Sequence, residues 1–175
     1  NVHAHRCLKL YGVELTVSSG VQYNFAFAEM VVGDGSVYRP RYHYLIWNDA
    51  RIVLDGGQIL ELPSGGGRIQ MEDNWNDPGN DSHLARLEIR SGVFNTNFSV
   101  SKGIFRMSGG CFVPSNTGSI FSNSAVVDVK VTGGEVVLKD GAAVVNRGVF
   151  PDGAVLTLGN NSVLRNLATA ENPDL

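Results

Sequence analysis

The sequence predicts an all-β fold in which short strands turn at regular corners and stack as coils around one apolar interior. Three observations carry this. An eight-residue grammar recurs, and the regular units between its copies run about 18–24 residues. Glycine is frequent, at 21 of 175 residues, without the three-residue period of collagen. Nothing after Trp47 shows an apolar stripe at helical spacing.

The grammar is apolar, polar, apolar, polar, Gly or Ser, Gly, any residue, apolar. It reads Ile52-Val-Leu-Asp-Gly-Gly-Gln-Ile59, Leu87-Glu-Ile-Arg-Ser-Gly-Val-Phe94, Phe105-Arg-Met-Ser-Gly-Gly-Cys-Phe112 and Val129-Lys-Val-Thr-Gly-Gly-Glu-Val136. A looser copy, Leu15-Thr-Val-Ser-Ser-Gly20, precedes them. Alternation buries one face of a strand and exposes the other. Glycine at the next position permits a positive φ and a sharp bend. Gly57, Gly92, Gly110 and Gly134 are the expected corner residues. The intervals between the second glycines, from Gly20 through Gly57, Gly92 and Gly110 to Gly134, are 37, 35, 18 and 24 residues. The first two each leave room for one hidden coil. Periods of about 20–50 residues point to stacked repeats.

In chain order, His3 to Tyr11 roughly alternates polar with apolar and suits a half-buried strand. Residues 23–47 break the pattern. Phe25 to Val32 is almost continuously apolar, fitting a buried strand or a short helix, and Gly33-Asp-Gly35 marks a turn. Tyr38 to Trp47 is aromatic-rich, and Pro40 excludes a central strand there. This segment is the expected cap over one end of the stack, or a subunit contact. Residues 72–83 read as an exposed polar loop, and 168–175 as a loose tail. The chain reads as one domain over residues 1–175, large enough to bury a proper core.

These features resemble the parallel β-helix (β-solenoid) proteins: phage tailspikes and decoration proteins, adhesins, autotransporter passenger domains and pectate-lyase-like enzymes. The resemblance is carried by the four copies above and by Gly153-Ala-Val-Leu-Thr-Leu-Gly-Asn-Asn-Ser-Val163, and it covers roughly residues 50–165. It implies a single-stranded right-handed parallel β-helix with residues 23–47 as an aromatic N-terminal cap. The alternative is an antiparallel β-sandwich or jelly roll, in which Gly-Gly and Asp-Gly would be hairpin turns.

For function, the resemblance implies a non-catalytic structural or binding module at a virion surface or outside the cell, as a capsid decoration, a tailspike-like piece or an adhesin. Its implied partners are copies of itself, with a homotrimer favoured, other structural proteins of the same assembly, or surface glycans. The alternatives are a carbohydrate-active enzyme, a polysaccharide lyase or hydrolase, and a lectin-like sugar-binding module. An enzyme would draw on Asp73, Asp77, Asp81, Asp128 and Asp140, with Arg86, Arg90 or Lys130 nearby. The adjacent Asp-Asp and the Gly-His-Gly of polygalacturonase-type enzymes are missing, and Arg39-Pro40-Arg41 has the wrong spacing for the pectate-lyase pattern. Net charge, 14 basic against 17 acidic residues, argues against nucleic-acid binding. No apolar run approaches the ~18 residues of a membrane span. The first residue is not Met, as in a processed product.

Three groups merit attention as sites. Tyr38, Arg39, Arg41, Tyr42, Tyr44 and Trp47 could form an interface or stack on sugars, with Tyr42 and Tyr44 on one strand face and Arg41 and His43 on the other. Asp73, Asp77 and Asp81, with Asn between them, could hold Ca²⁺, although turn chemistry explains the same composition better. His3, His5 and Cys7 would share a strand face and could take a transition metal, but no second ligand pair is evident. No cofactor is otherwise implied. Cys7 and Cys111 are expected to be free, buried thiols.

Overall fold

A computed structural model describes residues 1–45, 49–72, 82–115, 121–138, 155–158 and 162–166. Among these residues there is no helix. The strands form one 15-stranded sheet that curls into a half-barrel. Every pairing between the described strands is parallel. A sandwich of hairpins would need the opposite sense, so the antiparallel alternative is excluded for these strands.

The pairings fall into three ladders. The first contains β1 (Cys7–Leu10), β4 (Glu29–Gly33), the start of β7 (Arg51–Leu60), the start of β9 (Arg86–Asn95), the end of β10 (Asn97–Met107), β12 (Phe121–Val131) and β14 (Val155–Leu158). The second contains β2 (Glu14–Thr16), β5 (Val37–Arg39), the ends of β7 and β9, β11 (Cys111–Phe112), β13 (Gly134–Leu138) and β15 (Ser162–Asn166). The third contains β3 (Gln22–Tyr23), β6 (His43–Leu45), β8 (Arg68–Met71) and the start of β10.

Register places like on like. Leu8, Met30, Ile52, Leu87 and Phe105 lie in one row of the first ladder. Leu15, Tyr38, Ile59, Phe94, Phe112 and Val136 lie in one row of the second. Within these rows Met30, Ile52, Leu87, Phe105, Tyr38, Ile59, Phe94 and Phe112 are at most 1% exposed. Each lies in register between its counterparts on the neighbouring strands. Leu8 heads its row, β1 pairs only with β4 among the described strands, and Leu8 is accordingly 37% exposed. Phe94, Phe98, Phe105 and Phe112 join the three ladders in one aromatic cluster, with ring centroids 4.9–5.8 Å apart. Such rings combine large buried area with favourable edge-to-face geometry.

The glycines of the grammar stack on one another. Gly92, Gly110 and Gly134 have φ of +93°, +78° and +90°. A Cβ on Gly110 would lie 2.7 Å from the Gly92 carbonyl oxygen, and one on Gly134 would lie 2.7 Å from that of Gly110. A Cβ on Gly92 would likewise strike the Gly57 carbonyl. Gly57 differs from the expected corner. The positive φ there falls one residue earlier, on Gly56 (+94°), while Gly57 is required because a Cβ would come 2.6 Å from the Gly33 oxygen.

Two sequence expectations are corrected. Residues 23–45 are not a cap over the stack: β4 pairs with β1 on one side and β7 on the other, and Met30, Val32, Tyr38 and Leu45 are ordinary core rungs. The interval from Gly20 to Gly57 does hide a further pair of rungs, β4 and β5. The interval from Gly57 to Gly92 does not, because Arg51 pairs directly with Arg86. Its extra length includes β8, which belongs to the third ladder. Most of the expected polar loop at 72–83, all of the tail at 168–175, and Trp47 lie outside the described residues.

Candidate functional site

Tyr38 leaves the expected interface set. It sits in the core at 1% exposure, and its hydroxyl lies 2.7 Å from His43 Nδ1. His43 Nε2 lies 3.1 Å from Asn24 Oδ1, and the Asn24 amide nitrogen donates to the Arg51 carbonyl at 2.7 Å. The last bond fixes the direction of the chain. Asn24 must accept through Oδ1, so His43 donates from Nε2 and accepts the Tyr38 proton at Nδ1. Burial, reinforced by the positive chain terminus, lowers the His43 pKa to about 3. Burial pushes the Tyr38 phenol up. This network is internal, with His43 and Tyr38 both buried. Its role is to satisfy the polar groups that these strands bury.

The other aromatics behave as alternation requires. Tyr42 is exposed and Tyr44 half-buried on the outer side of the third ladder, and His43 points inward. Arg41 does not join His43 inside; its guanidinium lies over the Tyr42 ring, 5.3 Å from the centroid. Arg39 is tied to Glu14 at 3.0 Å and donates to the Glu61 carbonyl, which commits it to holding β2 against β5. Tyr44 stacks on Tyr23 with centroids 5.8 Å apart, Tyr23 lies 6.3 Å from Phe25, and Phe25 stacks on His3 at 5.8 Å. A continuous aromatic row thus runs over the outer face of β3 and β6, bordered by exposed Tyr42 and Val21. The sequence reading missed Tyr23, Phe25 and His3 as members. The signal was the 21-residue offset that sets Tyr23 on Tyr44, visible only once the coil length is known.

His3, His5 and Cys7 do not share a strand face. A turn at Ala4–His5, with His5 at φ +56°, separates them, and the strand starts only at Cys7. His3 stacks on Phe25, His5 stacks on Phe27 at 4.9 Å, and the Cys7 thiol donates to Glu29 Oε1 at 3.2 Å. No group of three metal-capable side chains converges among the described residues. Asp73, Asp77 and Asp81 lie outside the described residues, as does Asp140. Cys7 and Cys111 are both free, as expected, but Cys7 is exposed and Cys111 only partly buried. Burial and the neighbouring Glu29 raise the Cys7 pKa.

Two grooves lie on the outer face of the first ladder. One, of about 340 Å³, is lined by His5, Arg6, Cys7, Phe27, Glu29, Asp49, Arg51, Leu84 and Arg86. Cys7, Glu29, Arg51 and Arg86 form one register row along its floor. Arg51 is paired with Glu29. Arg86 lies 3.4 Å from Glu88, and Asp49 Oδ2 lies 2.7 Å from His83 Nδ1. The second groove, of about 310 Å³, contains Glu88, Arg90, Arg106, Ser108, Lys130 and Thr132. Arg90 is bound to Glu88 at 3.0 Å and stands 3.8 Å from Asp55. Arg86 and Arg90, the expected basic partners of an enzymatic acid, are therefore both held by carboxylates of the ladder itself.

Set against known proteins, the chain matches no family model, and no curated protein or solved structure is significantly similar to it.

Proposed function

We propose that the chain is a single-stranded parallel β-helix that serves as a non-catalytic binding module, with the aromatic row on the third ladder as its contact face. The three ladders, each linking a segment to the next one along the chain, support the β-helix. Right-handed winding follows from the near-universal hand of parallel crossovers. The observation that carries the binding role is the row His3–Phe25–Tyr23–Tyr44, stacked outside the core on strands whose other side is fully packed. Rigid aromatic groups with a nearby Arg are the residues that anchor protein interfaces. The partner this face suits first is another copy of the chain, and a closed trimer would cover it on every copy. The wider setting, a virion surface or an extracellular adhesin, rests on the resemblance alone.

Light scattering of the purified chain tests the reading. Trimeric mass at micromolar concentration, falling to monomer in a Tyr42→Ser/Tyr44→Ser variant with an unchanged circular dichroism spectrum, is the expected result. A wild-type monomer, or a variant that keeps the oligomeric mass, would overturn it.

A further inference from the structure

The groove over the start of the first ladder carries features that neither the core nor the aromatic contact face explains. Its rim is made by three successive corners of the chain. His5, Phe27 and Asp49 occupy equivalent corners 22 residues apart, and all three are left-handed, with φ of +56°, +56° and +51°. Asp and His tolerate that conformation, but for a bulky residue such as Phe it is an outlier. Strain of this kind persists where the surrounding structure imposes it, and it concentrates at binding sites. The conformation holds the Phe27 ring outward at 46% exposure, stacked on His5 and met edge-on by His83 at 6.1 Å. The core gains nothing from a Phe held there.

The floor beside the ring is basic. Arg6, Arg51 and Arg86 face Glu29 and Asp49 across the groove, an excess of cation in a chain whose net charge is −3. The two carboxylates already have partners: Glu29 takes Arg51 and the Cys7 thiol, and Asp49 takes His83. Arg6 is exposed and has no ion-pair partner among the described residues. Arg86 is held by Glu88 at only 3.4 Å, which leaves much of its donor fork available. An apolar ring with guanidinium donors alongside it recognises a ring compound that presents an apolar face and bears a carboxylate.

We propose that this groove binds a small ring compound carrying a carboxylate, with the ring on Phe27 and the carboxylate on Arg6 and Arg86. It lies on a different ladder from the aromatic contact face and does not depend on that reading. The carboxylate could come from an aromatic acid or an acidic sugar, and the test separates these sources.

Titrations of the intact chain by heteronuclear NMR would use sodium benzoate and sodium glucuronate, with benzamide and glucose as neutral counterparts. The expected result is saturable binding of at least one acid in the millimolar range, shifting amides of residues 5–7 and 27–29, with no saturation by its neutral counterpart. Benzoate alone would assign an aromatic acid, and glucuronate alone an acidic sugar. Arg86→Gln and Phe27→Ala should each weaken binding about tenfold. Arg6→Gln, at an exposed position, is the variant least able to disturb folding and should also weaken it. Absence of saturable binding by either acid, equal binding of a neutral counterpart, or full affinity in both Arg6→Gln and Arg86→Gln would overturn the proposal.

Discussion

Acid should loosen the stack through His43. The imidazole is 2% exposed, and both its nitrogens are engaged, Nδ1 by Tyr38 and Nε2 by Asn24. Protonation would add a donor at Nδ1, where a hydroxyl proton already points, and would place a charge among apolar side chains. With the folded pKa lowered to about 3 and the unfolded value near 6.5, the unfolded chain binds a proton throughout the interval between them and the folded chain does not. The stability contributed by the neutral ring is therefore complete above pH 6.5 and is lost as pH falls toward 3. The loss is about 1.4 kcal/mol per unit within that window, or about 3 kcal/mol by pH 4.5. That is a large share of a typical domain's stability of about 5–15 kcal/mol. Urea denaturation at several pH values between 7.5 and 4.5 would measure it, with His43→Gln as the reference. Gln can donate to Asn24 and accept from Tyr38 but does not titrate. The wild type should lose about 3 kcal/mol more than His43→Gln over this range. Equal losses in the two proteins, or an imidazole NMR titration with its midpoint near 6.5, would refute the assignment of the buried neutral ring.

The glycine column makes a graded prediction for urea denaturation. Gly110→Ala combines a positive φ with a Cβ 2.7 Å from the Gly92 oxygen, whereas Gly65→Ala has a φ of +80° with open space around it. Gly65→Ala should cost about 1–2 kcal/mol through backbone strain alone, and Gly110→Ala clearly more; the reverse order would mean that coil contact is not what demands the glycine. At Cys7, the raised pKa predicts slow reaction with a disulfide reagent at pH 8 despite exposure, and Glu29→Gln should speed it. In a Cys111→Ser background, stopped-flow rates unaffected by Glu29→Gln would show that the carboxylate does not hold the thiol.

The parts of the fold legible in the sequence were those written locally. Alternation followed by Gly-Gly or Ser-Gly marks β7, β9, β10 and β12 with their corners, because period-two burial and a positive φ each need only a few adjacent residues. The rungs β4 and β5 escaped the pattern for a specific reason. Val31 lies between Lys9 and Val53 in an outward row, yet both valines are buried, at 7% and 1% exposure, so Met30-Val-Val32 reads as a continuous apolar run. The corner there is Gly33-Asp-Gly35 rather than a glycine pair. Site residues were harder to see for a related reason. Tyr38 and Tyr44 look alike in sequence, but one lies in a core row and the other on the outer face, and only the register separates them. His5, Phe27 and Asp49 share a spacing and a backbone conformation but no residue type, so nothing in their identity announces one groove.

The column of glycines that each face the carbonyl of the preceding glycine in the column has a consequence for how this molecule can change in length. The interval from Gly92 to Gly110 is a complete unit of 18 residues that begins and ends on the same corner. A duplicate of it would bring its own strands, core residues and corner glycine, each in register with its neighbours. An insertion of one residue within a strand would turn every later inward side chain of that strand outward. The molecule should therefore accept growth or shortening by whole repeats far more readily than by single residues. In the proposed β-helix, length is a counted quantity, set in steps of one repeat.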